Sequence, residues 1–151
     1  MATWGAFERA APELAEFGAE LLLLGPAYLA TVRVGGVPRV HPVTPIIGDG
    51  HLFLFMEPTS PKARDLDEQG FYAMHNGVPD ASGTGGEFWI SGSGAQVDDI
   101  EMREVAASAS RYTPADRYVL FELEVTDARC NGYGDVALPD PSRWRDQSDK
   151  G

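Results

Sequence analysis

Arg39-Val-His-Pro-Val-Thr-Pro-Ile-Ile-Gly-Asp-Gly-His-Leu-Phe-Leu-Phe-Met-Glu-Pro-Thr-Ser-Pro-Lys62 reads as a strand, a Gly48-Asp49-Gly50 turn, a second strand and a helix start. Ser60 stands as the N-cap and Pro61 as the first helical residue, where an N–H would lack a partner in any case. The charge of that first turn is unusual. Unsatisfied N–H groups and the positive end of the helix dipole favour Asp or Glu, yet the chain places Lys62 and Arg64 there. Bare N–H groups, a hydroxyl and an ammonium make a phosphate site; the alternative is a solvated helix end with two surface cations.

Working outward, Phe7 to Leu24 sets Leu14, Phe17, Leu21 and Leu24 at spacings of three and four, with Glu13, Glu16 and Glu20 opposite. This pattern predicts one amphipathic helix, with Pro12 in its first turn and Gly25-Pro26 as its stop. Ala27 to Val34 is β-branched and aromatic and, across Gly35-Gly36, forms a hairpin with the strand quoted above. Pro42 and Pro45 remove two ladder donors from that second strand, which assigns them to an edge, a bulge, or a place where a ligand meets the backbone.

Beyond the helix from Pro61, which ends near Gln69-Gly70, Phe71 to His75 is a fourth strand and Asn76 to Gly86 a loop by composition. That loop lacks a Gly-Lys-Ser/Thr ending and is followed by the strand-like Glu87-Phe-Trp-Ile, so it is no nucleotide P-loop. Gly92 to Ala95 fits a bulge inside a strand. Asp98-Asp99 opens a third helix with Ile100, Val105 and Ala106 on its buried side, and Tyr118 to Val125 alternates cleanly, Val119 and Phe121 opposite Leu120. About six strands and three short helices without a βαβ rhythm predict a small antiparallel barrel. Residues 1–138 form one domain; residues 139–151 are polar, a tail or an arm laid across a partner, with Trp144 favouring the arm.

The 151 residues carry 23 acidic against 12 basic side chains, a net charge of −11, and the basic ones never form a stripe. Nucleic acid and anionic membrane surfaces are therefore not expected partners. There is no apolar run of spanning length and no secretory pattern, so a soluble cytoplasmic protein is expected. A single cysteine, Cys130, and three histidines, His41, His51 and His75, without helical ligand spacing make a metal site unexpected. No Gly-x-Ser-x-Gly elbow supports a hydrolase.

Tyr28-Leu-Ala-Thr-Val-Arg-Val34, Pro38-Arg-Val-His-Pro-Val43, His51-Leu-Phe-Leu-Phe55 and Ser60-Pro-Lys62-Ala-Arg-Asp-Leu66, in that order after a helix, resemble the pyridoxamine 5'-phosphate oxidase-like split-barrel superfamily. The nearest branch is the actinobacterial flavin/deazaflavin oxidoreductases. The resemblance implies a six-stranded antiparallel Greek-key split barrel, mainly β with α, that pairs into a homodimer with cofactor clefts at the interface. Ser60 and Lys62 match the Ser-x-Lys that grips the cofactor phosphate, and Arg39 matches the basic residue that also reaches it. Val40, His41, Pro42, Val43 and Thr44 would then run beneath the isoalloxazine ring of FMN or the deazaflavin F420.

The implied activity is an oxidoreductase transferring hydride to or from a small molecule, with no obligatory catalytic side chain and with His41 and Trp89 at the substrate pocket. Met56-Glu-Pro-Thr59 stands where pyridoxamine-phosphate oxidases carry Thr-Asn-Tyr, and the only arginines of the tail are Arg143 and Arg145, in an acidic context. Both departures weigh against vitamin B6 oxidation. The rivals are a non-catalytic carrier of the same cofactors, and a haem-binding or haem-degrading barrel with His41, His51 or His75 as axial ligand.

Overall fold

The computed structural model describes residues 1–82 and 85–148. Helix α1 (Trp4–Ala10) starts at Thr3, whose hydroxyl accepts from the Ala6 N–H at 3.2 Å. Ala11 leaves the helical region at φ −141°, because a proline disfavours α backbone at the residue before it. Pro12 then sits at the start of α2 (Pro12–Leu23). One helix in the sequence reading is thus two, and the buried stripe of the second is Leu14, Ala15, Gly18 and Leu22. Leu24, expected on that stripe, lies beyond the helix end and is 79% exposed.

The strands are β1 (Ala27–Val32), β2 (Pro38–Val43), β3 (Ile46–Gly48), β4 (His51–Met56), β5 (Phe71–His75), β6 (Gly85–Gln96), β7 (Val119–Tyr133) and β8 (Arg143–Arg145). Helix α3 (Pro61–Glu68) lies between β4 and β5, and α4 (Ile100–Ala109) between β6 and β7. Among the described residues these make eight strands and four helices, where six and three were expected. Every pairing is antiparallel. The order is β2-β1-β5-β6-β7-β4-β3, with β8 added to β7.

The largest departure from the sequence reading falls in the stretch that opened it. Residues 39–48 are not one strand: Thr44-Pro45 separates β2 from β3, and these two strands occupy opposite ends of the sheet. Three Cα–Cα steps can span at most about 11 Å. The sheet must therefore curl until its first and last strands almost meet, which gives the half-barrel form.

The longer β6 and β7 supply the curl. Register shifts between Ser91 and Gly92, leaving Thr126 of β7 without a cross-strand partner. The extra residue turns the alternation over: Phe121, Leu123 and Val125 face the core before it, Ala128 and Cys130 after it. Gly92 is required there, since a Cβ would lie 1.9 Å from the Glu124 carbonyl oxygen. The sequence placed the bulge on the glycine-bearing strand; the inserted residue is on its neighbour.

The main core gathers Trp4, Phe7 and Leu14 of the amino-terminal helices with Leu29, Leu54, Phe88 and Phe121 of the sheet. A smaller cluster of Ile46, Phe53, Phe55, Ala106 and Leu120 lies under α4. It explains why Leu120, on the opposite face of its strand from Phe121, is buried as well. Of the residues expected on the buried side of α4, Ala106 is buried and Ile100, in the first turn, is exposed. Gly85 and Gly86, read as loop, open β6. In the carboxy-terminal segment, β8 pairs with Asp127 to Arg129 of β7, and Trp144 packs on Phe7 at 5.1 Å between ring centroids. No helix of the described residues is long and apolar enough to cross a membrane.

Replacing Gly92 by Ala forces a Cβ against backbone that has no rotamer to yield. Urea unfolding of Gly92→Ala is expected to show a loss of about 3 kcal/mol.

Candidate functional site

Strand β2 is an edge, paired to β1 alone. Its register sets Pro42 opposite Tyr28 and Pro38 opposite Val32. A proline cannot complete a hydrogen-bonded pair, so both fit positions whose backbone groups point away from β1. Val40, between them, shares that direction. The free edge of β2 is therefore rich in carbonyls and poor in N–H donors.

The side chains of β2 divide by alternation. Val40 and Pro42 are exposed on the outer face of the sheet, while Val43 is buried and Arg39 and His41 are half-buried toward α3. Thr44 is exposed in the two-residue link that follows. The expected cofactor stretch thus offers its alternate residues to two different faces.

Helix α3 stands across β1 from these groups. Ser60 is its N-cap, accepting from the Ala63 N–H at 3.4 Å and donating its own proton to the Glu57 carbonyl at 2.8 Å. The hydroxyl is thereby committed to the backbone. Lys62 is half-buried in the first turn and has no hydrogen bond or ion pair among the described residues. Two residues of the sequence reading, Lys62 and Arg39, are brought into one neighbourhood with His41, whose proton affinity both cations lower. Three charged groups (Arg39, Lys62 and Asp65) leave this spot at +1 in a chain of −11.

Asp65 was not singled out from the sequence. It is 1% exposed, and its Oδ2 accepts from the Thr31 hydroxyl at 2.7 Å and from Arg39 Nε at 2.9 Å. The available signal was a carboxylate beside Ala63 and Leu66 on the apolar side of a short helix.

On the outer face lies a groove of about 500 Å³ lined by Tyr28, Ala30, Val40, Ala73, His75 and Trp89. It crosses four strands, since Tyr28 pairs with His75 and His75 with Trp89. The His75 and Trp89 rings are parallel within 4°, with centroids 6.1 Å apart. His75 donates its Nδ1–H to the Asn76 carbonyl at 2.6 Å, a bond that leaves Nε2 with its lone pair. Trp89 lines this groove, whereas His41, named with it for the substrate pocket, is half-buried on the other face of the sheet. Phe88 is fully buried among Trp4 and Phe7 and forms core. The groove's small and aromatic residues alternate along β1 and β5, and the sequence reading did not single them out. His51 is held away from both places by a hydrogen bond to Glu122.

Among the described residues no three His, Cys, Asp or Glu side chains gather as metal ligands.

No family model and no curated protein matches the chain. Solved structures do. A heme binding protein from Mycobacterium smegmatis aligns at TM-score 0.67 and 19% identity over 82% of this chain, which spans 55% of the length of that one. HutZ, the heme storage protein from Vibrio cholerae, aligns at TM-score 0.62 and 19% identity over 82% of this chain and 94% of its own. PhzG from Burkholderia lata, in complex with tetrahydrophenazine-1-carboxylic acid, aligns at TM-score 0.56 and 16% identity over 87% and 77% of the two chains. At these identities the likeness establishes the split-barrel fold.

His41 is held below its ordinary pKa of 6.5, first by burial and then by the Lys62 and Arg39 charges, with Asp65 opposing. Its Nε2 is buried without a partner. Because the unfolded chain binds the proton more readily, stability falls as pH drops below 6.5 and is recovered as pH rises through that value. Melting temperature measured from pH 5 to 7.5 is expected to rise, with a shallower slope in His41→Gln.

Proposed function

We propose that the chain is a flavin- or deazaflavin-dependent oxidoreductase: a homodimer that binds FMN or F420 through Arg39, the β2 segment Val40, His41, Pro42, Val43 and Thr44, and Ser60 and Lys62, with Trp89 at the substrate pocket. The observation that carries this reading is Lys62. Lys62 is a half-buried lysine in the first turn of a helix, and no described residue supplies an acceptor for its ammonium. An anionic group at that turn would satisfy it together with the helix N–H groups.

The residues fit the cofactor in three further respects. Arg39 has only Nε engaged, so its two Nη groups remain for a phosphate. The free edge of β2 offers backbone groups to the polar rim of a ring. The exposed apolar side chains Tyr28, Val40 and Phe71 on the outer face give a second copy a surface to cover. Ser60 enters through the cap it forms rather than through its hydroxyl proton, which Glu57 holds.

A bound flavin or deazaflavin would supply the hydride chemistry. The chain's own part is to anchor the anionic tail at Lys62 and Arg39, to lay the ring along β2, and to exclude water by apposition of a second subunit. Lowered basicity keeps His41 neutral near pH 7, a form able to donate or accept one hydrogen bond at the ring.

One observation favours a second reading, a haem-binding barrel. His75, with Nδ1 fixed on a backbone carbonyl, has the arrangement of a metal-ligating imidazole, and it lines the apolar groove. Two of the similar structures bear haem in their descriptions.

Visible spectra of the purified protein after separate additions of FMN, F420 and haemin, each followed by gel filtration, distinguish the readings. A retained flavin or deazaflavin band, weakened about tenfold or more in affinity by Lys62→Ala, is the expected result, with elution at twice the 16.3 kDa chain mass. A Soret band that survives Lys62→Ala and is lost in His75→Ala overturns it in favour of haem.

A further inference from the structure

Asp65 is the one buried carboxylate among the described residues, and a buried charge persists only where partners compensate it. Its compensation is lopsided. Both donors, Thr31 Oγ1 and Arg39 Nε, converge on Oδ2, and Oδ1 has no partner. An arginine and a carboxylate of full strength meet through two parallel bonds that use both oxygens. Here Thr31 shares the single oxygen that takes Arg39, so the guanidinium is held by its inner nitrogen alone.

The consequence lies at the other end of Arg39. Neither Nη group has a hydrogen bond among the described residues, and the side chain is 30% exposed. Thr31 and Arg39 are cross-strand partners, so one oxygen from α3 fixes the arginine against the hairpin that carries it. Resting on the reading of Arg39 and Lys62 as an anion site, we propose that Asp65, held by Thr31, is a positioning residue that aims the free Nη edge of Arg39 at the ligand's phosphate.

The sign of the effect separates this role from simple charge balance. Removing a negative charge beside an anion site strengthens anion binding on Coulomb grounds. Removing a positioning group weakens it, because Arg39 must then be ordered by the ligand itself.

The test measures dissociation constants of FMN and of riboflavin, which lacks the phosphate, by fluorescence quenching. Wild-type protein is expected to prefer FMN. Asp65→Ala should lose about tenfold in FMN affinity with riboflavin unchanged. Asp65→Asn, whose amide oxygen still accepts from Arg39 Nε, should restore the preference. Thr31→Val, which leaves the carboxylate in place, should lose a smaller part of it and decides the matter if Asp65→Ala does not fold. Unchanged or tighter FMN binding in Asp65→Ala, equal losses of both ligands, or full preference in Thr31→Val overturns the positioning role alone. A wild-type protein that does not distinguish FMN from riboflavin overturns the anion site and this role together.

Discussion

Two residues, Thr44 and Pro45, join the strands that stand at opposite ends of the sheet. A link that short can exist only if the sheet is bent nearly into a ring, so the rest of the chain answers to it. The bulge at Thr126 and the bare Cα of Gly92 let the two longest strands bend. The amino-terminal helices fill the concavity with Trp4 and Phe7, and α4 covers the smaller cluster beside β3. The same closure sets α3 beside the end of β1 and the start of β2, which is how a helix cap and an edge strand far apart in sequence come to share His41, Arg39 and Lys62.

Charge in that corner is arranged against the average of the molecule. A chain of −11 gathers two cations around a neutralised imidazole and admits one carboxylate, itself hidden from solvent. An acidic surface repels free anions in general, so an anion that does bind must find local donors fixed in advance. Arg39 meets that need through its bond to Asp65, and Lys62 through its place in a helix turn whose start is secured by Ser60.

Much of this was legible in the chain. Ser60 and Pro61 mark a helix start by capping chemistry that is local, and Pro42 marks an edge because a missing N–H cannot serve an inner strand; the structure has both features. What failed was whatever depends on distant partners. A break at Pro12 and a separation at Pro45 turn on how much helix or strand a proline ends, which neighbouring contacts decide. Alternation sets Leu120 opposite Phe121 but does not show that α4 covers that face too, and Ile100 reads as inward beside Ala106 although only Ala106 is buried. For the candidate site, Lys62 and Arg39 were visible as isolated cations. Asp65 and Thr31 were not, because their pairing spans 34 residues and has no periodic signature. The groove at Tyr28, His75 and Trp89 is a property of curvature across four strands, which no single stretch encodes.

The prolines of β2 have one more consequence. An unpaired strand end normally templates addition of further strands, and two copies meeting there would fuse into one continuous sheet. With Pro38 and Pro42 facing outward, β2 can offer only the Val40 N–H within that stretch, too few donors to hold a neighbouring backbone. Polymerisation through the barrel's open seam is thereby blocked. Whatever meets the barrel along this side has to be held by side chains rather than by main-chain ladders.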